Sequence, residues 1–247
     1  MKDSLKRIKA LTIRNVKEIM RDPLSLIFLF LVPIAMLVLF YSIFHELTPQ
    51  FEMKYLAPSM VAFGHAFISL FAGILIATDR HTTFLTRLYT TKTKSFEFIF
   101  GYTLSLLPIG LLQSISLFAL AVIIDSSFYS LNLLITLPLT LLSALLFIGF
   151  GILIGSFCNE KSVGGIASIV IMAQSLLSGM WFPLEGLSES FIKVLEILPF
   201  RSSSLLFQNI ILGVSEDIFS SLSILLVYSL LIYGLAIFIF NFKMRKR

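Results

Sequence analysis

The polar and apolar positions keep a helical rhythm near the N-terminus and then give way to long apolar blocks. From Ser4 to Met20, Leu5, Ile8, Thr12, Val16 and Ile19 recur every three or four positions, the spacing of one helix face. Leu11, Ile13 and Met20 flank that face. Lys6, Arg7, Arg14, Lys17, Glu18 and Arg21 fall opposite, with Lys9 the exception. The rhythm stops at Arg21-Asp22-Pro23. From Leu24 to Phe44 there is no charged residue. At about 1.5 Å per residue, that run crosses a hydrocarbon core of about 30 Å. Five further apolar blocks follow at about 57–77, 98–124, 131–157, 163–181 and 218–242, with Pro108 and Pro138 as kink positions. The pattern predicts an all-α integral membrane protein of six transmembrane helices. One domain covers 1–247, opening with an amphipathic interfacial helix over 4–21.

Composition agrees with that reading. Of 247 residues, 57% are hydrophobic and 13% charged, against about 25% charged in soluble domains. The net charge of +5 does not point to nucleic acid, because in a membrane protein the placement of Lys and Arg carries the information. Six spans put both termini on one side. With that side cytoplasmic, only Lys54, Lys193 and Arg201 of the 19 basic residues fall outside, as the positive-inside rule requires. The 4–21 helix is then suited to anionic lipid of the inner leaflet. A soluble helix packed on another protein is the other reading. A cleavable signal peptide does not fit, since the basic region and the apolar run are too long and no small-residue cleavage site follows at Tyr41 to Leu47.

Three connections stand out. Thr78 to Glu97 is cytoplasmic, and Phe84, Leu85, Leu88 and Tyr89 share one face of a short helix, surrounded by Arg80, Arg87, Lys92 and Lys94. A helix that docks a cytoplasmic partner needs such a face; an interfacial helix against lipid has one too. Cys158 to Ser162 reads as a plain polar turn. Phe182 to Asp217, on the outer side, is too apolar for an ordinary loop. FIKVLEIL (191–198) has helical period, and Leu205 to Leu212 is too short to span. The segment is read as short re-entrant or interfacial helices before the last span, with an extracellular cap as the alternative. Pro183 and Pro199 punctuate it.

No candidate catalytic cluster emerges. There is no P-loop, H-E-x-x-H or G-x-S-x-G run. His45, His65 and His81 lie far apart, so a metal site from them is not expected, and the single Cys158 precludes an intramolecular disulfide. His65 is the one ionisable residue in mid-span and reads as a packed residue that bonds across helices, as do Gln113 and Gln174, at about 0.6–2 kcal/mol each. Gly151 and Gly155, following Gly149, form a small-xxx-small pair for close helix approach, within the chain or in a dimer. The chain has no obvious energy source and no catalytic cluster, and its partly apolar cytoplasmic loop is where an energy-supplying partner would dock.

The residues resemble a known family at this point. RNVKEIMRDPLSLIFLFLVPIAMLVLF (14–40), TDRHTTFLTRLYTTKTKSFEFIFGY (78–102) and GMWFPLEGLSESFIKVLEILPFRSSSLLFQNIILG (179–213), in that order, resemble permease subunits of the type-2 ABC exporters. The start of the first cytoplasmic loop departs from the family pattern, with Asp79-Arg80-His81 and Thr91-Lys92 in place of an acidic-basic-acidic start and a Thr-Pro. The resemblance implies a connecting helix at 4–20 and a membrane-interface elbow at Arg21, Asp22 and Pro23. It implies a coupling helix over about 80–97, with Arg80, Phe84, Arg87, Leu88 and Tyr89 docking an ATP-binding cassette ATPase. It also implies an outer re-entrant segment with Phe182, Pro183, Glu185 and Pro199. The expected assembly is two permease chains, as a homodimer or heterodimer, and two ATPase chains in the cytoplasmic membrane. ATP and Mg would bind to the ATPase partner, with no cofactor and no catalysis in this chain. The competing readings are an ATP-independent facilitator or channel and a membrane-embedded lipid-modifying enzyme.

Overall fold

The computed structural model describes residues 2–82, 93–181 and 187–245. Among these residues all regular structure is helical. In chain order the α-helices are α1 (Lys2–Met20), α2 (Pro23–Phe44), α3 (Met53–His81), α4 (Ser95–Ile124), α5 (Asn132–Phe157), α6 (Glu160–Leu177), α7 (Glu189–Ile197), α8 (Pro199–Leu212) and α9 (Ile218–Arg245). Short 3-10 turns at Pro49–Phe51 and Ser126–Phe128 precede α3 and α5.

Among the described residues five helices are long and apolar enough to cross a membrane: α2, α3, α4, α5 and α9 over Ile218–Phe242. The expected span at 163–181 corresponds to α6, which is shorter and more polar than these five. It holds Glu160, Lys161 and Gln174 and stops at Leu177. Beyond it Gly179 takes a positive φ of 74°, a conformation glycine adopts without Cβ strain. Asn159 starts α6 by accepting the Ser162 N–H at 2.9 Å, so the Cys158–Ser162 turn is a helix cap.

The core forms around α3. Of its most apolar window 72% is buried, against 17% for α2 and 22% for α9, which therefore lie at the periphery. The α3 surface is built from small residues such as Ala66, Ser69, Ala72 and Gly73, all buried. They meet the Gly151/Gly155 pair of α5. A Cβ at Gly151 would stand 2.3 Å from the Ser69 carbonyl oxygen, and one at Gly155 2.7 Å from that of Gly73. The small-xxx-small pair thus packs inside the chain. His65 joins three helices here: its ring nitrogens lie 3.1 Å from Ser143 Oγ and 3.0 Å from Ser114 Oγ.

Prolines inside helices leave carbonyls without a donor. Pro33 frees the Leu29 carbonyl in α2, and Gln113 of α4 donates to it at 2.7 Å. In hydrocarbon an orphaned carbonyl is costly, so this side chain also ties α4 to α2. Arg80 does similar work at the end of α5, donating through Nη1 to the carbonyls of Gly155 at 2.7 Å and Cys158 at 3.0 Å. A cation on the last carbonyls of a helix also complements its dipole.

The α1 face differs from the sequence expectation. Leu11, Asn15 and Ile19 are buried against α4 and its neighbours, while Leu5 is 62% and Val16 39% exposed. The packed face is rotated toward Ser4, Arg7 and Arg14. The exposed Leu5, Ile13, Val16 and Met20 form a separate apolar stripe beside it. Counting apolar residues merges the two faces, because they adjoin on the wheel. Close contact with α4 is possible because position 101 is glycine; a Cβ there would lie 2.7 Å from that of Leu11.

Candidate functional site

The charged end of the bundle collects the C-terminus of α3, the N-terminus of α4 and the whole of α1. The first two are the flanks of segment 83–92. Asp79 sits in the last turns of α3 with 4% of its side chain exposed. Arg14 grips it with two nitrogens, Nη1 and Nη2, the second at 2.6 Å. Tyr102 of α4 donates its hydroxyl to the same carboxylate at 2.5 Å. Glu97, in the first turn of α4, is fully buried. It accepts Arg7 Nε at 2.8 Å and Nη2 at 2.7 Å, the Ser4 hydroxyl, and the Lys94 N–H at 3.0 Å. That last bond caps the start of α4, so one carboxylate both begins the helix and binds α1.

Two fork-shaped Arg–carboxylate contacts of this kind fix orientation as well as distance. Arg7 and Arg14 stand seven positions apart, two turns of helix, and so face the same way. The hydrogen bond to Glu97 holds the Arg7 pKa above its ordinary value. For Arg14, burial opposes the charge, but the hydrogen bonds it donates to Asp79 leave its pKa raised as well. Asn15 lies fully buried beside them, its Oδ1 accepting Arg14 Nη1 at 3.0 Å. The result is a strap: α1 is bound by one pair to the helix that leads into segment 83–92 and by the other to the helix that leads out.

The expected docking residues divide. Phe84, Arg87, Leu88 and Tyr89 lie outside the described residues. Arg80 is the next-to-last residue of α3, and its guanidinium serves the end of α5. The helices also narrow the connection, since α3 runs to His81 and α4 begins at Ser95. At the elbow, Asp22 accepts the Ser25 N–H at 3.1 Å and Pro23 opens α2, so these two residues end one helix and start another. Arg21 reaches Glu18 at 3.5 Å and is otherwise exposed.

At the other end, Phe182, Pro183 and Glu185 lie outside the described residues, and Pro199 is the first residue of α8. α8 runs alongside α5. Phe200 stacks on Phe150 with centroids 6.0 Å apart, past the middle of α5, while Asn132 at the start of α5 donates to the Ile211 carbonyl at 3.4 Å. Gln174 of α6 contacts Ser203 and Ser204, and Gln208 donates to Ser59 at 2.9 Å. α8 ends at Gly213, φ 70°, with the Val214 N–H closing back on the Asn209 carbonyl.

The Arg7–Glu97 and Arg14–Asp79 pairs were missed by the sequence reading, which placed both arginines on an outer face. The available signal was two arginines on one side of α1 and one acid on each flank of the 78–97 connection. Among the described residues no three His, Cys, Asp or Glu side chains gather as a metal site.

Comparison with known families bears on this arrangement of helices. The profile of the ABC-2 type transporter family matches residues 6–212, from the first turns of α1 to the last residue of α8. The chain belongs to the ABC-2 type transporter family. No curated protein matches it. As an ABC-2 membrane domain it is a multi-pass component of a transporter, and such domains work with an ATP-binding subunit.

Proposed function

We propose that this chain is the permease subunit of an exporter in the cytoplasmic membrane, driven by ATP that a separate subunit hydrolyses. The observation that carries the reading is the α1 strap. Two Arg–carboxylate pairs bind one surface helix to both flanks of segment 83–92. A push on that segment from the cytoplasmic side reaches α3, α4 and α1 together. Since α3 is the centre of the bundle, the push also reaches α5 and α6. Packed helices have discrete arrangements rather than a continuous range, which suits a switch between inward-open and outward-open states.

In this reading α6 completes the six spans as the fifth in chain order, and both termini are cytoplasmic. Segment 83–92, with Phe84, Arg87, Leu88 and Tyr89, docks the ATPase, which binds ATP and Mg. The α7–α8 hairpin re-enters from the outer side. The depth α8 reaches along α5 supports this, as does its length of about 21 Å, too short to span. The exposed apolar faces of α2 and α9 contact lipid and a second permease copy. The exposed stripe of α1 lies in the inner leaflet, with Lys6, Lys17 and Arg21 toward the head groups.

Co-purification tests the proposal. Tagged chain extracted from native membranes in mild detergent should bring down a P-loop ATPase in about equal amount. Repeated recovery of well-folded chain without an ATPase would overturn it.

A further inference from the structure

Arg201 lies in the first turn of α8, next to Phe200, which is stacked on Phe150 past the middle of α5. It is 19% exposed. Its Nη1 is buried and has no hydrogen-bond partner; the nearest carboxylate, Glu196 Oε1, stands 3.7 Å away. A buried guanidinium nitrogen without a hydrogen bond is costly. Arg201 faces a cavity of about 180 Å³, lined also by Glu196, Asp217, Ser220 and Ser221. Asp217 takes a left-handed φ of 57° at the start of α9. The small chamber therefore offers one cation, two carboxylates and serine hydroxyls.

A second cavity shares Glu196, Ser220 and Ile224 with the first. It holds about 600 Å³ between α7 and α9 and is mainly apolar, with Ile197, Val227 and Tyr228 in its wall and Lys193 as its one cation. Ile197 and Val227 are exposed, so this groove opens to the side of the bundle. A polar chamber joined to a lateral apolar groove matches a molecule with a small charged head and a long apolar tail. The charges of the chamber match a head that carries both signs.

We infer that the α7–α8–α9 corner binds one aminophospholipid of the surrounding bilayer. Its phosphate meets Arg201 and the Ser220 and Ser221 hydroxyls. Its ammonium group meets Glu196 and Asp217. One acyl chain lies along Ile224, Val227 and Tyr228. An anionic lipid without the amine sets its phosphate beside Glu196 and Asp217 with no ammonium between them, and the like charges repel, which disfavours it. The inference does not depend on the ATPase or on the direction of transport.

Native mass spectrometry of the full chain, with any subunit that stays bound, tests this. Delipidated protein is incubated with an equal mixture of phosphatidylethanolamine and phosphatidylglycerol of the same acyl chains. One phosphatidylethanolamine should be retained per chain, favoured about tenfold or more, the scale of a lost charge-assisted contact. Arg201→Gln should lower that retention by a similar factor. Val227→Trp, at an exposed groove position that does not bear on folding, should lower it too. Equal retention of the two lipids overturns the assignment, as does phosphatidylethanolamine retention that neither substitution changes.

Discussion

Asp79 has 4% of its side chain in contact with solvent, and Arg14 supplies two of its hydrogen bonds. Arg14→Gln leaves a buried carboxylate to Tyr102 alone. The expected cost is on the order of 2–3 kcal/mol, read as a lower melting temperature in detergent. Exchanging the two residues, Arg14→Asp with Asp79→Arg, should recover part of it; an exchange no better than the single change would show that the pair is not coupled. Glycines give a matched comparison. Gly151→Ala meets the Ser69 carbonyl at 2.3 Å, whereas Gly164→Ala meets nothing within 4 Å. The first should cost about 1–3 kcal/mol through overpacking, and the second should stabilise slightly or do nothing. Residue identities in the sequence disclosed which side chains needed partners, Gln113, Gln174 and His65 among them. They did not disclose the partners. Arg7 and Glu97 are 90 positions apart, and nothing in local spacing joins them.

At the scale of elements, the long apolar blocks were legible because a bilayer demands uninterrupted apolar length. Boundaries followed chemistry that the blocks alone do not carry. α3 begins at Met53 and extends past the apolar run to His81 because Arg80 and Asp79 find partners on α5 and α1. The orientation of α1 was misread because its buried face is partly polar: Ser4, Arg7, Arg14 and Asn15 stand where a core stripe would be apolar. The strap has a test of its own. Glu97→Gln keeps an oxygen to cap Lys94 but loses the charge opposite Arg7. Such a variant, and Arg7→Gln, should insert normally and still hold the ATPase, while transport per ATP hydrolysed falls. Unchanged coupling in both would reduce α1 to a passive surface helix. The elbow is separable from this. Pro23→Ala, measured for insertion and transport together, should insert fully and transport less, because Pro23 fixes where α2 starts; normal transport would make the junction a helix boundary and no more.

For the whole molecule, the family and the helical class were both legible from the order of three loose segments and the placement of basic residues. The close packing of α8 against α5 was not, since a 14-residue helix with Arg201 and three serines in its first half carries the polarity of a surface element. The orientation proposed from the basic residues is checked with single cysteines in a Cys158→Ser background. Lys161→Cys should react with an impermeant thiol reagent only from the cytoplasmic side, and Lys193→Cys only from the other. The central claim is that segment 83–92 is where an ATP-hydrolysing partner drives the strap of α1. A photo-crosslinking residue at Leu88, activated in native membranes, tests it most directly. The expected result is an adduct with a P-loop ATPase subunit, lost when Phe84 and Tyr89 are changed to Ser. Adducts with lipid alone, in membranes where the chain is intact and transporting, would contradict the claim.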